Sequence, residues 1–164
     1  MISSVVLIAS LFLYFFRHAK FTTGEKFEKL LTALLGGFLV MAVMVKFIDP
    51  FATMFATQIA LSELPFPLLS KWAGQSGEIS AGIILLSVLI LGKRITDKVS
   101  TQLFYFASLI TTIIMFVAVY VHLLPSAPAE VLPLQSKPPV MTLIIILLVG
   151  INAYLHKMKK RVTA

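Results

Sequence analysis

The chain contains no cysteine. That excludes disulfides, thiol catalysis, cysteine-held zinc and iron–sulfur clusters. Charge is scarce too. Asp, Glu, Lys and Arg make up 13% of the 164 residues, against roughly a quarter in a soluble domain. No P-loop, dinucleotide fingerprint or hydrolase motif occurs, and no long repeat or low-complexity tract. What the chain has instead is apolar surface: 59% of its residues are hydrophobic, with a mean hydropathy of +0.97. A chain this short cannot hide so much apolar surface in one water-facing core. The composition predicts an integral membrane protein in contact with the lipid bilayer.

A helix crosses the roughly 30 Å hydrocarbon layer with about 20 apolar residues. Five apolar segments qualify or nearly do: 2–16, 30–48, 73–92, 103–121 and 140–155. They are too long and too evenly apolar for barrel strands. The expected fold is all-α: a four-helix transmembrane bundle plus an additional N-terminal apolar helix. The expected division is an N-terminal anchor or extra span at 1–20, a four-helix membrane domain at 30–156 and a basic tail at 157–164. The first segment is short, and two readings stand: a full span, or a tilted interfacial or re-entrant segment. Basic residues follow it (Arg17, Lys20) and none precede it, the reverse of a cleaved secretory signal.

The cations sort by side. Arg17, Lys20, Lys26 and Lys29 lie in one polar stretch, Lys93, Arg94 and Lys98 in a second, and Lys157, Lys159, Lys160 and Arg161 in the tail. The two other loops hold only Lys71 and Lys137. The positive-inside rule puts the first group, and the C-terminus, in the cytoplasm. This topology also accounts for the formal charge of +7, and no nucleic-acid partner is expected.

The outer loops are unusual. Asp49-Pro50 suits a helix start, and Phe51, Met54, Phe55 and Ile59 follow at helical spacing. A short interfacial helix is expected there, broken by Glu63-Leu64-Pro65-Phe66-Pro67 and followed by Trp72 at the next membrane boundary. The last outer loop carries Pro125, Pro128, Pro133, Pro138 and Pro139. It is expected to be an extended lid without regular helix.

Ionisable groups inside a membrane need partners. Helix direction puts Lys46, Glu63, Glu78 and His122 at one outer depth, with Tyr120 near them. Thr101, Tyr105, Ser108, Thr112, Met115, Val119 and His122 follow a seven-residue repeat and mark the expected inward stripe. Three readings of the cluster stand. Lys46 and Glu78 form a structural ion pair; or Tyr120, His122 and Glu78 bind a small molecule such as a quinone head group; or the surface docks an outer partner. Small residues predict packing seams at Ala33/Gly37 and at Gly77/Ala81 with Gly82, within the chain or between two copies. His18 and His156 read as anchors at the cytoplasmic edge, and no metal or haem site is expected.

The run from Trp72 through Gly77, Glu78 and Gly82 to Gly92-Lys93-Arg94 resembles the second helix of the DoxX / DoxX-like family. In that family a glycine and a glutamate open the helix, a small-residue turn and an aliphatic run follow, and a basic end closes it. Lys46 fits the lysine that often ends the family's first helix. The resemblance spans about 30–155 and implies a four-helix membrane bundle. It implies a role beside membrane or periplasmic redox proteins, one branch being a subunit of a thiosulfate:quinone oxidoreductase. The chain is therefore expected to be a non-catalytic membrane subunit or scaffold, with no cofactor of its own. A quinone-binding oxidoreductase component and a small proton-coupled transporter are the alternatives.

Overall fold

A computed structural model describes residues 22–92 and 94–163, with side chains to residue 159. The apolar segment at 2–16, its flanking Arg17, His18 and Lys20, and Lys93 lie outside the described residues. The rest is helical: α1 (Thr23–Val45), α2 (Phe51–Ala60), α3 (Pro67–Leu91), α4 (Asp97–Leu123) and α5 (Val140–Thr163). Among the described residues, α1, α3, α4 and α5 are long and apolar enough to cross a membrane. The protein is a multi-pass membrane protein. Helices of 23 to 27 residues span about 35–40 Å at 1.5 Å per residue, enough to cross with polar turns left at each end.

Local chemistry sets the helix starts, and those of α1, α3 and α4 fall earlier than the apolar runs. α1 begins with a capping box. The Glu25 N–H donates to Thr22 Oγ1, and the Thr22 N–H donates to Glu25 Oε2 at 2.8 Å. This start precedes the apolar run by seven residues, because capping decides where a helix begins and hydropathy does not. α3 opens on Pro67, a residue suited to the first helical turn, after Phe66 takes a left-handed φ of 52°. Thr96 caps α4 by accepting from the Val99 N–H. Before α2, Asp49 Oδ1 accepts from the hydroxyl and the backbone N–H of Thr53.

The four long helices close a ring in which α1 packs on α3 and α5, and α4 packs on the same two. Buried Leu35, Leu39, Leu85, Phe104, Ile145 and Val149 fill its centre. Lipid is as apolar as these side chains, so close packing holds the helices together and water exclusion does not. The α1–α3 seam shows how. A Cβ added at Gly82 would lie 2.9 Å from Gly36 O, and one at Gly36 would lie 2.9 Å from Leu86 Cγ. A Cβ at Gly77 would lie 2.6 Å from Ile114, so this glycine admits α4. Ala81 is fully buried. Gly37 instead lies on the exposed face of α1 and a Cβ there would meet nothing. The α1 half of the expected Ala33/Gly37 seam therefore runs through Gly36.

The proline-rich loop is more compact than an extended strap. It forms two 3-10 turns, Ala129–Val131 and Pro133–Gln135. Ala127 and Leu132 bury against Val121 at the end of α4. The Lys137 ammonium donates to Leu124 O and to Ala127 O, and Ser126 Oγ donates to Leu61 O just past α2. A lysine thus supplies the donors that the prolines lack.

Candidate functional site: two interhelical polar clasps

The first clasp joins α1 to α3. Lys46 is the residue that caps the C-terminus of α1. Its Nζ lies 2.8 Å from Glu78 Oε1 and 2.6 Å from Oε2. Glu78 is buried and Lys46 is partly exposed. Phe55 of α2 covers the ammonium, its ring centroid 4.6 Å from Nζ, a cation–π contact that is worth more where water is excluded. Nearby, the rings of Phe47 and Trp72 are 6.4 Å apart. The short helix therefore closes over the ion pair. One turn before Glu78, Gln75 is buried, and neither its amide nitrogen nor its oxygen has a hydrogen-bond partner among the described residues.

The other residues expected at this depth do not join the pair. Glu63 is exposed, with a left-handed φ of 54° in the break after α2. Tyr120 is 44% exposed on the outside of α4. His122 is 2% exposed, so it does not sit at the water boundary. Its Nδ1 is 3.2 Å from Lys137 O under the lid, and its Nε2 is buried without a partner among the described residues. The inward stripe of α4 runs through Phe104, Ser108, Thr111, Met115 and His122, with Tyr105 turned outward. Ser108 and Thr111 donate to the carbonyls of Phe104 and Ala107, each at 2.8 Å. Their hydroxyls are thereby satisfied within the helix that carries them.

The second clasp, at the opposite end, joins α1 to α5. Sequence reasoning missed it. Glu28 and His156 are both buried, with His156 Nδ1 2.7 Å from Glu28 Oε1. With the carboxylate ionised, this pairing puts the imidazole proton on Nδ1. Lys159 Nζ stands 3.6 Å from Glu28 Oε2. The Phe104 ring stacks on the imidazole at 4.1 Å and 12°, and Tyr105 meets its edge. One turn deeper, the Asn152 amide donates to Thr32 Oγ1 at 3.0 Å, while the Thr32 hydroxyl donates to Glu28 O at 2.8 Å. His156 is thus an internal fastener where an edge anchor was expected. A readable signal existed. Thr142, Ile145, Val149, Asn152 and His156 form one seven-residue repeat, and Glu28 and Thr32 continue the line of Leu35 and Leu39.

Chemically, both clasps cross-link helices with charge-assisted hydrogen bonds, which are roughly twice as strong as neutral ones. Among the described residues no group of three His, Asp or Glu side chains could hold a metal ion. No family model, curated protein or solved structure matches the chain.

Proposed function

We propose that this chain is a non-catalytic, DoxX-like membrane subunit or scaffold that serves a membrane redox assembly. In this reading it sits in a bacterial inner membrane with its C-terminus in the cytoplasm. One observation carries the reading. The interior charges pair helix to helix at the two ends of the bundle, with Leu39, Leu85 and Phe104 packed between them. Charges arranged in this way fasten a scaffold, and the buried hydroxyls between them, Ser108 and Thr111, donate to carbonyls of their own helix, which argues against a proton path along the bundle.

The test is purification from native membranes in mild detergent after brief cross-linking. The chain should migrate in a larger assembly with a defined membrane or periplasmic partner, and should show no turnover when isolated. A chain that stays monomeric under cross-linking would sink the reading. Orientation is tested separately. A reporter enzyme active only outside the cytoplasm, fused after Arg161, should be silent.

A quinone-binding component is the second reading. It draws on Gln75, whose buried amide, three residues before Glu78, has no partner among the described residues. A quinone carbonyl could accept from it. Mass spectrometry of the lipid extract of the purified protein separates the two readings: a stoichiometric quinone supports the second, and its absence the first.

A further inference from the structure

The two ends of the bundle differ in how their charges are used. At the end that carries Lys46, the cations are largely consumed within the chain. Lys46 is bound to Glu78, and Lys137 to backbone carbonyls. Among the described residues Lys71 is the remaining cation there, alongside Asp49, Glu63 and Glu130. At the other end the anions are the ones consumed. Glu25 is held in the α1 cap, and Glu28 is buried against His156 and Lys159. Asp97 is the third acid there. Against these stand Lys26, Lys29, Arg94, Lys98, Lys157 and Lys159, with Lys160 and Arg161 following on α5. Whatever pairs these cations make inside the chain, three acids cannot neutralise them.

Aromatic side chains place this excess relative to a bilayer. Tyr and Trp prefer the level of the lipid head groups. Trp72 and Tyr120 are exposed at one end, and Tyr105 and Tyr154 at the other. The fifteen residues from Tyr105 to Tyr120 rise about 22 Å along α4, close to the depth of a hydrocarbon layer once the rings reach outward. On α5 the exposed Tyr154 and Met158 flank exposed Lys157. Arg94 and Lys98 are exposed in and just after the α3–α4 turn. The cations therefore begin where the aromatic belt ends, at the depth of lipid phosphates.

We infer that this end of the bundle is a recognition surface for anionic phospholipid head groups, with Arg94, Lys98 and Lys157 as its exposed contacts. A head-group phosphate meets the ammonium and guanidinium groups while the acyl chains lie on the apolar outer faces of α4 and α5. Each cation near an anionic surface strengthens attraction about fivefold at moderate salt, and the attraction weakens as salt shortens the Debye length.

The test measures competition between spin-labelled phosphatidylglycerol and spin-labelled phosphatidylcholine for the full-length protein, reconstituted in phosphatidylcholine vesicles. Labelled phosphatidylglycerol should associate preferentially, and the preference should fall with added sodium chloride. Arg94→Gln, Lys98→Gln and Lys157→Gln should each reduce it by up to about fivefold, whereas Lys71→Gln at the opposite end should leave it unchanged. If a variant fails to fold, the salt dependence of the unaltered protein decides. Equal association of the two lipids overturns the inference, as does an equal loss in Lys71→Gln. A protein that shows no lipid preference but binds a soluble polyglutamate peptide at this end would assign the surface to an acidic protein instead, which also overturns it.

Discussion

Lys46 Nζ meets both carboxylate oxygens of Glu78, at 2.8 and 2.6 Å, across the α1–α3 seam and beneath Phe55. Removing one partner strands the other in a poorly hydrated site. Glu78→Ala should therefore destabilise more than Glu78→Gln, whose amide oxygen still accepts from Lys46. The exchange Lys46→Glu with Glu78→Lys should recover roughly 1–3 kcal/mol relative to the sum of the single reversals. Equilibrium unfolding in mixed detergent measures this. A double variant no better than the worse single reversal would mean that Glu78 answers to a different partner.

The Glu28–His156 clasp calls for a different comparison. His156→Phe keeps a ring against Phe104 but takes from the buried Glu28 its nearest partner, leaving Lys159 at 3.6 Å. It should cost about 3–5 kcal/mol. Adding Glu28→Gln removes the stranded charge and should return a substantial part of that loss. If His156→Phe is as stable as the parent, the stacking carries the site and the carboxylate contact does not.

Gly82 and Gly37 should respond oppositely to the same substitution. Gly82→Ala forces a methyl against Gly36 O and Val40, so it should cost about 1–3 kcal/mol. Gly37→Ala points its methyl into open space and gains helix propensity, for a change near zero or a stabilisation of up to about 1 kcal/mol. Equal losses at both positions would place Gly37 in an interface with another chain.

Lys137→Met should loosen the proline-rich lid by removing the ammonium that ties Leu124 O to Ala127 O. The lid packs as its own small cluster around Ala127 and Leu132, so the core should melt as before. Limited proteolysis is expected to cut between Pro125 and Pro139 faster in the variant. Unchanged cleavage would show that apolar packing alone holds the lid.

At one lid residue the backbone is the issue. Leu134 is exposed with a φ of 59°, in the left-handed region that disfavours side chains with a Cβ. Leu134→Gly should stabilise the lid by up to about 1 kcal/mol, read as slower proteolysis at that site.

The membrane class and the four long helices from 23 to 163 were legible in the sequence. Apolar runs near membrane length leave few architectures open, because unpaired backbone in lipid is too costly for anything but helices or closed barrels. The short α2 was legible from Asp49-Pro50 and its helical spacing. The Lys46–Glu78 contact was legible because two lone charges at matching depth on helices joined by one loop have few other partners. Tertiary structure decided which way each helix is turned, and so which polar residues are inside. A rotation of part of a turn separates Tyr105 from Phe104, and Gly37 from Gly36. It also converts His156 from an apparent edge anchor into the partner of Glu28. For Tyr105 against Phe104 and Gly37 against Gly36, local sequence could not choose. Within apolar helices the exposed faces are as hydrophobic as the buried ones, and only close packing between backbones sets the rotation.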